Sequence, residues 1–140
     1  MRPTLDEYHM GLARHVAERS KDRSVHVGAV IVGPENEIRS TGYNGFPRGI
    51  MDDVDERHDR PLKYPLTVHA EQNAIVNAAR VGTPVKGCVM YVSGRVSCGD
   101  CMGLIVNAGI TTVVVETLEP SKREDGPWVV QHRATEIMMD

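Results

Sequence analysis

Leu5, Tyr8, Leu12 and Val16 recur every three to four residues, the period of one helix face. Thr4-Leu5-Asp6-Glu7 is a capping-box pattern, with Thr4 as N-cap and Glu7 reaching back, so a first helix runs to about Ser20. The period then changes. Residues 27–32 are a continuous apolar run closed by Gly33-Pro34, which predicts a strand. Residues 37–41 return as a second strand after the Gly-Pro-Glu-Asn turn, making a hairpin. Residues 42–66 begin rich in glycine and proline and are heavily charged from Met51 to Arg60. They predict a long loop with at most short helical pieces, its acidic part a solvated connection.

Helix and strand patterns then alternate. Ala70, Ala74, Ile75, Ala78 and Ala79 give residues 69–80 the apolar face of a second helix, which Gly82 ends. Residues 88–92 predict a third strand, 99–108 a third helix closed by Gly109, and the β-branched run 111–115 a fourth strand. Pro127 fits the first turn of a last helix with Val130, Ala134, Ile137 and Met138 on one face. A fifth strand would fit after it, but the sequence does not supply one. The predicted class is α/β: a three-layer α/β/α sandwich around a mixed sheet of four to five strands, one domain over residues 1–140.

Composition narrows the function. The 140 residues are the length of one domain, and 25% charged with 41% hydrophobic residues fits a soluble globular protein. No apolar run nears the roughly 20 residues that span a bilayer, and the start lacks the apolar core of a signal peptide, so the cytoplasm is the expected location. A net charge of -3 without a basic stripe argues against a nucleic-acid partner and leaves room for a small anionic one. Three cysteines make a disulfide framework a poor reading. Cys88 reads as a small buried core residue, and Cys98 and Cys101 as a metal or redox pair.

Two segments carry the chemistry, Thr67-Val68-His69-Ala70-Glu71 and Ser97-Cys98-Gly99-Asp100-Cys101, each at the entrance to a helix. Free N–H groups at a helix start lower thiol pKa values, so both cysteines can bind metal as thiolates. One imidazole and two thiolates suit zinc and leave a fourth position for water, the mark of a catalytic site. Glu71 is placed to move protons. Residues two apart on a regular helix diverge, so His69 and Glu71 converge only if His69 precedes the regular helix. Each segment alone is weak evidence. Together, in this order, they match the pattern of zinc-dependent deaminases. A structural zinc is the second reading, and it has no evident fourth ligand.

Further segments sharpen the match: Val27-Gly28-Ala29-Val30-Ile31-Val32, Thr41-Gly42-Tyr43-Asn44-Gly45-Phe46-Pro47, His69 to Ile75, and Ala108-Gly109-Ile110. With them the chain resembles the deoxycytidylate (dCMP) deaminases of the cytidine deaminase-like superfamily. Histidine as first ligand separates it from free-nucleoside cytidine deaminases. The Gly-Tyr-Asn-Gly segment separates it from tRNA adenosine deaminases, which also tend to be basic. The resemblance implies a hydrolase that converts dCMP to dUMP and ammonia by zinc-activated hydroxide, with Glu71 as proton shuttle. It implies one zinc per chain, on His69, Cys98 and Cys101. It also implies substrate contacts from Asn44 to the sugar and from Ala70, and cations for the 5′-phosphate. Lys21 and Arg23 are the first candidates for those cations, followed by Arg48, Arg57, His58, Arg60 and Lys63. Regulated members bind dCTP and dTTP near the loop containing Gly42, Tyr43 and Gly45 and form hexamers, so a homo-oligomer is expected. The chain departs from the pattern at Ser97, where proline is usual, and in a segment from Tyr91 to Cys98 that is one residue longer than usual. The alternatives are action on a 5-substituted dCMP or on tRNA adenosine, or a non-catalytic nucleotide-binding relative stabilised by zinc.

Overall fold

The computed structural model describes residues 1–95, 97–117 and 137–139. Helix α1 (Leu5–Ala17) starts at the expected capping box: Thr4 Oγ1 accepts from the Glu7 N–H at 3.1 Å, and Glu7 Oε1 accepts from the Thr4 N–H at 3.5 Å. It stops at Ala17 rather than near Ser20. The Ser20 hydroxyl donates to the Asn44 carbonyl and accepts from the Asp22 N–H, so the chain has already turned into the next segment.

Strands β1 (Gly28–Val32) and β2 (Ile38–Tyr43) form the expected antiparallel hairpin. β1 also pairs antiparallel with β3 (Val89–Arg95), which pairs parallel with β4 (Thr112–Thr117). The order β2-β1-β3-β4 makes a mixed four-stranded sheet. Pairing with β1 carries β2 through Gly42 and Tyr43, which the sequence reading had assigned to the loop. The rest of that loop contains a single 3-10 turn (Asp55–His58) and the short helix α2 (Lys63–Leu66).

Side-chain alternation along β1 separates the layers. Val30 and Val32 meet Met10 and Ala13 of α1 and Tyr91 of β3. Ala29 and Ile31 face the other way, into a cluster built by α3 (Ala70–Val81) and α4 (Gly99–Asn107). One helix on one face and two on the other give the three-layer sandwich. Every residue of β1 is buried, which is why its sequence is continuously apolar instead of alternating. Fully buried side chains such as Ile31 and Ile105 each contribute about 1.5–3 kcal/mol. Of the expected last helix only residues 137–139 fall among those described; they are helical, and Met138 packs on the α3/α4 cluster. Pro127, Val130 and Ala134 lie outside the described residues, among which no helix is long and apolar enough to cross a membrane.

Helix α3 sits unusually close to β2. A Cβ on Gly42 would lie 2.3 Å from the Ala74 nitrogen and 2.6 Å from the Ala70 carbonyl oxygen. Asn73 and Asn77 donate from α3 to the carbonyls of Tyr43 and Thr41, and the Ser40 hydroxyl donates to the Ala74 carbonyl. These bonds occupy backbone groups of a strand at the sheet edge. Gly42→Ala should therefore lower stability by about 2–3 kcal/mol, read as a fall in the chemical-denaturation midpoint. An unchanged midpoint would show that the helix can move away from the strand without loss.

Candidate active site

Helices α3 and α4 begin at the same place, beside the C-terminal end of β3. His69 is the N-cap of α3, with φ −74° and ψ 158°, so its backbone is extended. That conformation releases the imidazole from helical geometry and lets it converge with Glu71. Gln72 fixes the cap, its Oε1 accepting from the His69 N–H at 2.9 Å. Cys98 is the N-cap of α4, and its sulfur accepts from the Cys101 N–H at 3.5 Å.

His69 Nδ1 lies 3.1 Å from Cys101 Sγ and 3.4 Å from Cys98 Sγ, and the three donor atoms all fall within 4.8 Å of one another. Tetrahedral zinc bonded to nitrogen and sulfur spaces its ligands roughly 3.5–3.8 Å apart, so this donor set fits zinc with little rearrangement. The protonation states agree. A hydrogen bond from Cys101, with help from His69, holds the Cys98 thiol down at about 4 despite burial. The same contact and burial push the Cys101 thiol up, and hydrogen bonding to Cys98 pushes the His69 imidazole up. A metal entering this cluster displaces the proton held by the Cys101 thiol.

Glu71, on the first turn of α3, is 6% exposed. Burial pushes its carboxyl up, while the Ser97 hydroxyl and its own backbone N–H pull the other way. A carboxyl raised in this way is a stronger base than an exposed one and is placed to move protons at the cavity. It lines a cavity of about 430 Å³ together with His69, Ala70, Ser97 and Cys98.

The cavity wall opposite the helices is built by an internal ion pair. Lys63 Nζ lies 3.0 Å from Asp22 Oδ1 and 3.0 Å from Ser24 Oγ, with the two charged side chains 9% and 5% exposed. Burial opposes the charge on Asp22, but N–H bonds from Ser24 and Val25 together with Lys63 hold its carboxyl below the usual range. Asn44 secures the same segment. Its Oδ1 accepts from the Val27 N–H at 2.8 Å and its Nδ2 donates to the Val25 carbonyl at 2.9 Å.

Comparison with known proteins decides the family. The family model for the cytidine and deoxycytidylate deaminase zinc-binding region matches residues 3–117. The chain belongs to this family. It is 46% identical to human deoxycytidylate deaminase over 113 residues, covering 77% of this chain and 62% of the human protein. It thus matches less than two thirds of that relative's length. The deoxycytidylate deaminase of Mycobacterium phage D29 is 34% identical over 126 residues, covering 81% of this chain and 94% of the phage protein. The dCMP deaminase of the cyanophage S-TIM5 superposes in its apo form with a TM-score of 0.70 at 29% identity, covering 82% of this chain and 84% of that one. Its structure in complex with dCMP and dUMP superposes at 0.69 and 28%, covering 82% of each chain.

In this family member, His69, Cys98 and Cys101 form a group that could hold one zinc ion. The other residues singled out in the sequence are placed unevenly. Asn44, Ala70, Arg60 and Lys63 line the cavity. Lys21 and Arg23 do not; they are exposed and ion-paired to Asp52 and Asp55. Arg48 bonds Asn77, Arg57 the Met51 carbonyl and His58 the Asp52 carbonyl. Gly42 and Tyr43 lie in β2, and Gly45 bridges Val68, so all three position the entrance to α3 without lining the cavity. The sequence reading did not single out His26, Tyr64 or Arg95, which also line it. Arg95 had one pointer, the segment between Tyr91 and Cys98 that the resemblance singles out as longer than usual.

Lys63→Met leaves Asp22 buried without its cation and should destabilise the fold by about 3–5 kcal/mol, with much of the loss recovered when Asp22→Asn is added. Asp22 titrates below its ordinary value of 3.8, so the pair stabilises the fold above that pH and is lost as pH falls through the lower, folded-state value. Urea melts of the single and double variants across pH test both points. Additive losses in the double variant would mean that the two residues act separately.

Proposed function

We propose that this chain deaminates dCMP hydrolytically, taking up one water and giving dUMP and ammonia. The observation that carries the proposal is the convergence of a three-donor zinc set with the buried Glu71 carboxyl on one cavity. Support for the substrate comes from the human and phage D29 relatives, both deoxycytidylate deaminases, and from the cyanophage enzyme solved with dCMP and dUMP.

When bound to His69, Cys98 and Cys101, zinc supplies Lewis acidity that lowers the pKa of a water to roughly 7. The chain's own residues do the rest. Glu71 accepts a proton from the attacking water and passes it to N3 of the cytosine ring, which makes C4 more electrophilic. A second transfer through the same carboxyl protonates the departing amine, and the C4–N bond breaks to release ammonia. Burial suits Glu71 to this double duty, because raising its carboxyl above the ordinary carboxylate range makes it a better base that can still return the proton. Ala70 and the wall formed by Val25 and Val27 supply apolar surface for the base. Asn44 holds that wall and keeps one amide hydrogen available for the sugar.

The test is ammonia release from zinc-loaded protein given dCMP, with CMP, deoxycytidine, dCTP and 5-methyl-dCMP alongside. Turnover should be highest on dCMP, and silence on all five with zinc bound would sink the proposal. Glu71→Gln should keep its zinc by elemental analysis and lose about 10²- to 10⁴-fold in kcat. Loss of zinc in that variant would make Glu71 a ligand instead.

A further inference from the structure

The connection between α1 and β1 is joined by charge, at three successive positions, to the segment that leads into α2. Lys21 Nζ lies 3.1 Å from Asp52 Oδ1, Lys63 Nζ 3.0 Å from Asp22 Oδ1, and Arg23 Nη2 2.9 Å from Asp55 Oδ1. The middle pair is buried, with the Lys63 side chain 9% exposed, whereas Lys21 and Arg23 are 71% and 52% exposed. This ladder follows a seam of the cavity. Asp22, Ser24 and Val25 line it from the first segment, and Arg60, Lys63 and Tyr64 from the second.

The outer part of the second segment is closed on itself. Arg57 Nη1 donates to the Met51 carbonyl at 3.0 Å and His58 Nε2 to the Asp52 carbonyl at 2.6 Å, so the ends of residues 51–58 meet, as in an Ω-loop. None of these residues is buried. The His58 ring stands 4.9 Å from that of Phe46, just upstream in the same segment. A closed loop with no core of its own keeps its place through what it is tied to. Its charged ties to the first segment are the two exposed pairs. Salt screens exposed pairs, while a buried pair keeps most of its strength. The ladder therefore has a firm end at Lys63 and a weak end at Asp52 and Asp55.

We infer that residues 51–60 form a strap along one side of the cavity, hinged at Lys63 and latched by the Lys21–Asp52 and Arg23–Asp55 pairs. Releasing the latch carries Arg60 and the residues before it away from the wall while Asp22 and Lys63 stay bonded. The entrance to the metal-ligand cluster widens without unfolding the domain, and ionic strength sets how often it does so. The acidic run that reads in sequence as a solvated connection thus has a mechanical role.

The experiment is hydrogen exchange by mass spectrometry on the zinc-loaded chain at low and high salt, with the rate of zinc stripping by EDTA as the measure of access. In wild type, exchange in residues 51–60 should rise about 3- to 20-fold from low to high salt while α3 holds steady. At low salt, Lys21→Glu with Arg23→Glu should exchange fast in the strap and lose zinc faster. Adding Asp52→Lys with Asp55→Lys should restore both rates. Strap exchange that ignores salt in wild type overturns the inference whether or not the variants fold. So does a charge-swapped variant as fast as the reversed one, or a reversed variant whose strap loosens while EDTA strips zinc no faster. Acceleration of α3 in step with the strap would mean that the whole domain loosens, and would overturn it too. None of these readouts needs turnover, so they stand apart from the deamination reading.

Discussion

Helix α3 can lie against β2 because nothing projects from Gly42 into the space that the backbone of Ala70 and Ala74 occupies. That close approach fixes where the helix begins, and its beginning is His69. With the cap set by Gln72 and the strand bonded by Asn73 and Asn77, the imidazole has little freedom to leave the two sulfurs on α4. One face of α3 is therefore packing and edge protection, while its first turn carries chemistry. The two roles cannot be separated, because moving the helix outward would also withdraw the first donor.

The other side of the cavity, where Val25 and Val27 present apolar surface, is held in place by polar groups. Asp22, Lys63 and Asn44 are all buried, and each bonds backbone or side chain across long sequence separations. A loop beside a cavity cannot be held by hydrophobic burial alone, since its backbone groups need partners. The ion pair supplies them: one carboxylate oxygen takes two N–H groups and an ammonium, which ties the irregular segment 22–27 to the start of α2. Lys63 and Asn44 thus look like ligand-binding groups in sequence and also serve as scaffold in the fold.

Legibility in the sequence followed from how local each feature is. The capping box at Thr4, the helices starting at His69 and Cys98, and the donor set itself depend on residues a few positions apart, so their spacing could be read directly. The layers were also legible, because an all-buried strand between helical patterns admits few architectures. Lys21 and Arg23 misled because the charges that neutralise them, Asp52 and Asp55, lie about thirty residues away in a segment without regular pattern. The extent of β2 was missed for a related reason: glycine in a strand reads as a break until the helix that needs it is in place. Arg95 depended on a register shift, which is a property of the ladder with β4 and leaves no periodicity in the chain.

The choice of ligands bears on the proton chemistry as much as on metal affinity. A divalent ion on one neutral imidazole and two thiolates forms a centre with no net charge. Three neutral histidines in their place would leave two surplus positive charges beside Glu71 and pull its carboxyl down. Among the protein's own groups, burial is the largest influence on Glu71 and pushes its carboxyl upward. The Ser97 hydroxyl opposes that push. A side chain bonded to the carboxyl can therefore tune the shuttle without touching the base, and Ser97, at the entrance to α4, is placed to do so.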